Sequence, residues 1–272
     1  MDNRPIGFFD SGVGGLTCIS EMLQALPDER IIYFGDTART PYGSKAADTI
    51  RTFSLEIADF LVKEGVKMIV IACNTVSSIC LKDLQDRYPD IPVLGIISPA
   101  AEKIGTDCRK EEPIGVIGTK VTVRSKAYEN QIRDLNPELS VFSEACPALV
   151  PLIEEGIIEN EIMDLTIRYY LDEFLAENKI RTLVLGCTHY PLVEPNIRRL
   201  YPELSIVNPS KEIVRSIAKE LEDRDLKADQ PAGENTFYAS DLSENFVNMI
   251  NRISELSKTQ VTFRNFNLEQ GK

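Results

Sequence analysis

The sequence predicts an α/β protein of two pseudo-symmetric lobes with mainly parallel sheets, closing on a ligand-binding cleft between them. Three observations predict it. Short apolar runs alternate with segments of helical period, the pattern of βαβ units. The 272 residues suffice for about two domains at roughly 150 residues each. Finally, two stretches recur. Pro5-Ile6-Gly7, followed by Phe8, Phe9, Asp10 and Ser11, returns 108 residues on as Pro113-Ile114-Gly115, followed by Val116, Ile117, Gly118 and Thr119. The run from Met68 to Cys73-Asn74-Thr75 returns 114 residues on as Thr182 to Cys187-Thr188-His189. Two landmarks at nearly one offset point to an internally duplicated α/β unit.

In chain order, the apolar runs bounded by turn residues predict strands at 6–9, 30–34, 67–72, 92–96, 114–117, 140–142, 182–185, 204–207 and 236–238. Between the second and third, 48–64 reads as a helix with Ile50, Phe53, Ile57, Phe60 and Leu61 on one stripe, ended by Gly65. A second long helix, 160–177, carries Ile162, Leu165, Tyr169, Leu171 and Phe174 as its inward stripe. The polar stretch 223–234, with Pro231 and Gly233, reads as a surface loop.

Composition narrows the function classes. Net charge is −12 with no basic run, so a phosphate backbone is repelled and nucleic acid is not an expected partner. No apolar run reaches about 18 residues, which excludes a membrane-spanning helix. The first residues lack a signal-peptide core, so a cytoplasmic protein with no membrane partner is expected. Six cysteines show no CxxC pair and read as free thiols of a reducing compartment. Cys18, Cys80, Cys108 and Cys146 are expected to be core or incidental thiols.

Cys73 and Cys187 differ from these. Each ends an apolar strand and is followed by small hydroxyl or amide residues, and ligands in open α/β sheets sit outside the carboxyl ends of strands. Facing lobes would set the two thiols on opposite walls of one cleft. That arrangement suits inversion at a carbon that carries a proton: one sulfur takes the proton from one face while the other returns one to the opposite face. A helix N-terminus after each cysteine is expected to lower its pKa. Backbone N–H groups near Asn74, Thr75, Thr188 and His189 would hold a carboxylate.

Further polar groups collect at matching strand ends. Asp10 and Ser11 open a glycine-rich turn, Pro41-Tyr42-Gly43-Ser44 follows the second strand, and Thr119 and Thr122 mirror the Asp10 turn. Asp10 could exchange a proton beside a thiol or hold a substrate ammonium. Glu154 follows the Cys146–Pro151 segment. Zinc ligation by Cys73, Cys187 and His189 lacks any finger or HExxH spacing, so no metal is expected. Gly12-Val13-Gly14-Gly15 does not complete a dinucleotide fingerprint, and no lysine-bearing phosphate loop is present.

Five motifs in series resemble a known family. Phe9-Asp10-Ser11-Gly12-Val13-Gly14-Gly15-Leu16-Thr17, Gly35-Asp36-Thr37-Ala38-Arg39-Thr40-Pro41-Tyr42-Gly43, Ala72-Cys73-Asn74-Thr75, Gly118-Thr119 and Gly186-Cys187-Thr188-His189-Tyr190-Pro191 are similar to those of glutamate racemases, in the cofactor-independent aspartate/glutamate racemase family. The resemblance implies interconversion of L- and D-glutamate without pyridoxal phosphate or any other cofactor, supplying D-glutamate for peptidoglycan. It implies Cys73 as the base toward D-glutamate and Cys187 toward L-glutamate, with Asp10, Glu154 and His189 tuning the thiols. It also implies substrate contacts from Asp10, Ser11, Tyr42, Gly43, Asn74, Thr75, Thr119, Thr122, Thr188 and His189. The implied lobes are 1–97 plus 208–272, and 98–207.

This chain departs from the family pattern at Thr40, at Ala100 and over Val207-Asn208-Pro209-Ser210. Nine residues precede Asp10, so the activator-binding extension of some relatives is expected to be missing. A homodimer is left open. The alternatives are an aspartate racemase or decarboxylase of the same fold, or a non-catalytic amino-acid binder.

Overall fold

Two parallel sheets organise the chain; the structure is a computed structural model describing residues 1–108, 112–230, 233–241, 243–257 and 261–265. The first unit runs β1 (Ile6–Asp10), α1 (Leu16–Ala25), β2 (Ile31–Gly35), α2 (Ala47–Lys63), β3 (Met68–Ile71), α3 (Asn74–Arg87), β4 (Val93–Gly95) and α4 (Ile97–Asp107). The second runs β5 (Pro113–Gly118), α5 (Lys120–Ser125), α6 (Ala127–Leu135), β6 (Ser140–Ala145), α7 (Leu149–Glu154), α8 (Glu161–Asn178), β7 (Thr182–Gly186), α9 (Glu194–Leu200) and β8 (Ser205–Val207). Then α10 (Pro209–Asp223), β9 (Asn235–Ala239), α11 (Glu244–Ser257) and β10 (Val261–Asn265) follow.

The strand orders are β10-β9-β2-β1-β3-β4 and β6-β5-β7-β8. Stripped of β9 and β10, the first order is the second one repeated. The register repeats as well: Ile6 pairs with Met68 and Phe9 with Ile71, while Ile114 pairs with Thr182 and Ile117 with Leu185. The offsets of 108 and 114 residues seen in the sequence therefore map pair onto pair.

Each sheet is covered on both faces, which is why β3 (Met-Ile-Val-Ile) is apolar at every position. One core continues from lobe to lobe, joining Phe8, Ile19, Ala100, Ile104, Val116, Tyr128, Ile132 and Ile217. The other two cores lie on the outer faces: one under α2 and α3, the other under α7, α8 and α9. Gly65 stands at φ +76° after α2, so glycine ends that helix as expected. At the return to the first sheet, the Asn208 side chain accepts the Ser210 N–H at 3.0 Å and caps α10, with Pro209 at its first position. The Ser210 hydroxyl in turn reaches Thr17 Oγ1 at 3.1 Å. The unusual Val207–Ser210 segment is thus a helix start tied to α1. Ala100 is fully buried in the shared core.

The nine strands read from sequence are present. β10, which the sequence reading missed, lies parallel to β9 at the edge of the first sheet. The stripe assigned to α8 holds at Leu171 and Phe174 but fails at its other three positions. Ile162, Leu165 and Tyr169 are 56%, 58% and 81% exposed, and the buried stripe is Met163, Ile167, Leu171, Phe174 and Leu175. Both faces of this helix carry apolar residues at helical spacing, so periodicity could not choose between them. Residues 223–230 and 233–234 form no sheet or helix beyond the end of α10, and 231–232 lie outside the described residues. No helix among the described residues is long and apolar enough to cross a membrane.

Candidate active site

In each sheet the order reverses beside the first strand of the unit. β1 lies between β2 and β3, and β5 between β6 and β7. Such switch points open a crevice at the carboxyl ends of the strands. The loops at the first crevice carry Asp10-Ser11 and Cys73-Asn74-Thr75; those at the second carry Thr119 and Cys187-Thr188-His189. The two crevices meet in one cavity of about 280 Å³.

From one lobe this cavity is lined by Ser11, Tyr42, Gly43, Cys73, Asn74 and Thr75, and from the other by Thr119, Glu154, Cys187, Thr188 and His189. Of the residues expected from sequence, only Asp10 and Thr122 stand behind the wall. Asp10 is fully buried and meets the site through Thr188, whose hydroxyl donates to its Oδ2 at 3.2 Å; the Gly12 N–H donates to Oδ1 at 3.0 Å. Thr122 closes a hydroxyl triangle with Thr75 and Thr119, at 3.4 and 3.1 Å, while Thr75 and Thr119 lie 3.0 Å apart across the lobes.

The wall also includes residues that were missed. Cys146, set aside as core, lines the cavity with Pro147, Val150 and Pro151, and Thr40, Ser44, Lys120 and Tyr190 join them. Position could have revealed the Cys146 segment. It follows β6 just as Pro41–Ser44 follows β2, and the duplication makes those two loops equivalent. Tyr190 is fully buried, and its hydroxyl donates to the carbonyls of Gly118 and Cys146 at 3.2 and 3.1 Å, tying the ends of β5 and β6.

The two thiols have unlike surroundings. Cys73 is the N-cap of α3 and donates to Ser11 Oγ at 3.5 Å. Burial pushes its thiol up to about 12, and the Asp10 carboxylate adds to the rise; Ser11 and the Val76 N–H act in the lowering direction but are outweighed. The expected lowering at a helix N-terminus is therefore overturned at Cys73 by desolvation. The second lobe departs from expectation too. After Cys187 comes a turn and the 3₁₀ segment Tyr190–Val193, because Pro191 and Pro195 delay α9 to Glu194.

His189 stands beside Cys187, its Nδ1 3.9 Å from Sγ, and its Nε2 lies 3.0 Å from Glu154 Oε1. Burial works against the imidazolium, yet Cys187, Glu154 and Asp10 overcome it and raise His189 to about 10. Burial also raises Asp10, opposed first by the charge of His189 and then by hydrogen bonds from Gly12, Gly15 and Thr188. No group of three or more His, Cys, Asp or Glu side chains suited to a metal occurs among the described residues.

Gly14 lets the lobes approach here. A Cβ on it would fall 2.4 Å from Thr188 Oγ1 and 2.5 Å from His189 Nδ1. The Thr17 hydroxyl donates to the Thr188 carbonyl at 3.0 Å, so the Cys187 loop is held against the Asp10 loop. Opposite thiols, an acid–imidazolium pair and a ring of hydroxyl and amide groups can hold a small zwitterion and move a proton through its centre.

Comparison with known proteins agrees with this chemistry. The pattern of the Asp/Glu/hydantoin racemase family matches residues 10–217. A glutamate racemase of Geobacter metallireducens is 45% identical over 254 residues, 93% of each chain. The crystal structure of glutamate racemase from Francisella tularensis in complex with D-glutamate superposes with a TM-score of 0.90 at 35% identity, covering 99% of this chain and 100% of that one. Glutamate racemase from Thermus thermophilus, in complex with β-chloro-D-alanine, gives a TM-score of 0.86 at 37% identity, covering 99% and 100%. Matched along most of its length in sequence and structure, the chain belongs to the Asp/Glu/hydantoin racemase family, among its glutamate racemases.

Proposed function

We propose that this protein interconverts L- and D-glutamate by proton transfer at Cα between Cys73 and Cys187. The observation that carries the proposal is the position of each thiol at the switch point of its own sheet, on facing walls of one cavity. The thiolate on one wall takes the Cα proton, leaving a carbanion delocalised into the α-carboxylate. The thiol on the other wall gives its proton to the opposite face, so the sulfurs exchange protonation states with each turnover. N–H groups of the first turn of α3 have no acceptor within the helix and suit a carboxylate, as do the Asn74, Thr75 and Thr188 side chains around them.

Asp10 acts through Thr188 and attracts the substrate ammonium. That cation offsets the negative field of Asp10, which adds to the rise that burial imposes on Cys73. Glu154 and His189 form the charged pair beside Cys187. Ser11, Tyr42, Gly43, Thr119 and Thr122 shape the pocket at and behind its walls. The lobes are residues 1–97 with 208–272, and 98–207. Sheet membership supports this division, since β1–β4, β9 and β10 share one sheet and β5–β8 the other. The family supports a cytoplasmic role in supplying D-glutamate for peptidoglycan. The exposed Ile162, Leu165 and Tyr169 on α8 are compatible with a homodimer, which sedimentation tests.

The test is racemisation of L-glutamate by the purified protein in D₂O, without added cofactor. Optical rotation should decay to zero, and product should carry deuterium at Cα while early recovered substrate stays protiated. Deuterium entering substrate as fast as product would mean that one group serves both faces, and turnover of L-aspartate alone would move the substrate class.

A further inference from the structure

Asn74 carries a polar atom that its surroundings leave unsatisfied. Its side chain is buried at the cavity wall, yet Nδ2 has no hydrogen-bond partner among the described residues. Its other end is fixed. The hydroxyl of Tyr128, on α6 of the opposite lobe, donates to Asn74 Oδ1 at 2.6 Å, a separation typical of O–H···O rather than N–H···O bonds. A carboxamide offers one acceptor and two donors. With the acceptor end taken by a phenol, the donor end is left at the cavity.

Tyr128 suits this task in two further ways. It is almost fully buried, and burial holds its phenol well above the ordinary range, so it stays a hydroxyl able to donate. Its ring packs on Gly186, the residue before Cys187: a Cβ there would come 3.2 Å from Tyr128 Cε2. One side chain outside the cavity wall thus touches the neighbour of each thiol. Reversal of the amide would turn Oδ1 toward an incoming carboxylate and repel it.

We propose that Tyr128 is a positioning residue that sets the orientation of the Asn74 amide, so that Nδ2 donates to a carboxylate oxygen of the amino-acid substrate. The inference rests on the glutamate racemase reading above and adds to it the group that orients a binding side chain from across the cleft. It makes the Tyr128 hydroxyl act through Asn74, while the packing of its ring on Gly186 is kept in Tyr128→Phe.

A double-mutant cycle tests this with wild type, Tyr128→Phe, Asn74→Ala and the double variant, each assayed for kcat and KM in both directions. Tyr128→Phe should raise KM for glutamate roughly fivefold to tenfold, the loss expected when one hydrogen bond no longer holds a binding group. In the Asn74→Ala background the same change should do nothing further. Equal effects in both backgrounds, or an unchanged KM in Tyr128→Phe, would overturn the inference. Asn74→Asp provides a second test if Tyr128→Phe does not fold. It keeps an acceptor for the phenol but has no donor, so its KM should rise at least as far as that of Asn74→Ala; a wild-type KM would refute the role of Nδ2. If the wild-type protein does not racemise glutamate, the functional reading fails separately. Calorimetric titration of the same proteins with D-glutamate then decides the Tyr128 inference by the same non-additivity.

Discussion

Gly14→Ala should disable the site without unfolding the protein. Among the described residues the glycines at positive φ are Gly65 and Gly156, so the backbone of Gly14 accepts alanine and only space is at issue. The added methyl would lie 2.4 Å from Thr188 Oγ1, 2.5 Å from His189 Nδ1 and 2.7 Å from His189 Cε1. Ordinary contacts fall near 3.5–4.0 Å, so the opposing loop must retreat by roughly 1 Å. That loop carries Cys187, and the retreat also strains the bonds from Thr188 to Asp10 and between His189 and Glu154. Misplacing a reacting group by about 1 Å costs on the order of a hundredfold in turnover. The overpacking itself costs about 1–3 kcal/mol, well within a typical domain stability of about 5–15 kcal/mol. Racemisation followed by circular dichroism, beside a thermal melt, separates the two effects. Gly65→Ala is the control: φ is +76° with nothing within 4 Å, so it should lose stability and leave turnover intact. Wild-type turnover in Gly14→Ala, or a loss no greater than that of Gly65→Ala, would refute the reasoning.

Gly43→Ala should act at the mouth of the cleft, where its Cβ would fall 2.6 Å from Thr119 Cβ and force the lobes apart; steady-state assays should show KM rising more than kcat falls. His189, raised from 6.5 to about 10, adds stability that is fully present below about pH 6.5 and lost as pH climbs through about 10. The melting-temperature gap between wild type and His189→Asn should accordingly be widest near pH 6 and close above pH 10, and a gap that widens with pH would reverse the sign of the argument. Cys73→Ser and Cys187→Ser should show opposite asymmetries in primary isotope effect with the two α-deuterated enantiomers of glutamate, and identical behaviour would refute the division of labour between the thiols.

Much of the fold was legible because its elements obey local rules. The strands are apolar runs buried on both faces, and the recurring Pro-Ile-Gly and strand-Cys landmarks disclosed the duplication. What failed to show was decided by tertiary contact. The face of α8 that turns inward is set by its packing with α7, α9 and β6, not by its own periodicity. The rise at Cys73 comes from burial and from Asp10, 63 residues away in sequence, while the chain around Cys73 suggests only a helix N-terminus. Cys146 is the buried core thiol its sequence suggested, but its strand bears no motif to show that it also lies at the cavity wall; the equivalence of β2 and β6 shows it.

The duplication also exposes where the two halves differ. Moving 108 residues along the β1–β5 pair takes Asp10 to Gly118 and Ser11 to Thr119; moving 114 along β3–β7 takes Asn74 to Thr188 and Thr75 to His189. Hydroxyl and amide positions are answered by polar groups on the other side, and the two cysteines answer each other. The charged groups are not answered. Asp10 has only glycine opposite it, and His189 has only threonine. A backbone with near two-fold symmetry therefore surrounds its two sulfurs with unlike charges, a carboxylate adding to the rise of one thiol and an imidazolium, steadied by Glu154, beside the other. In the proposed reaction the symmetry aligns the sulfurs with opposite faces of one carbon. The departures from symmetry set a carboxylate behind one sulfur and an imidazolium beside the other, so the two walls are not interchangeable in the two directions of the reaction.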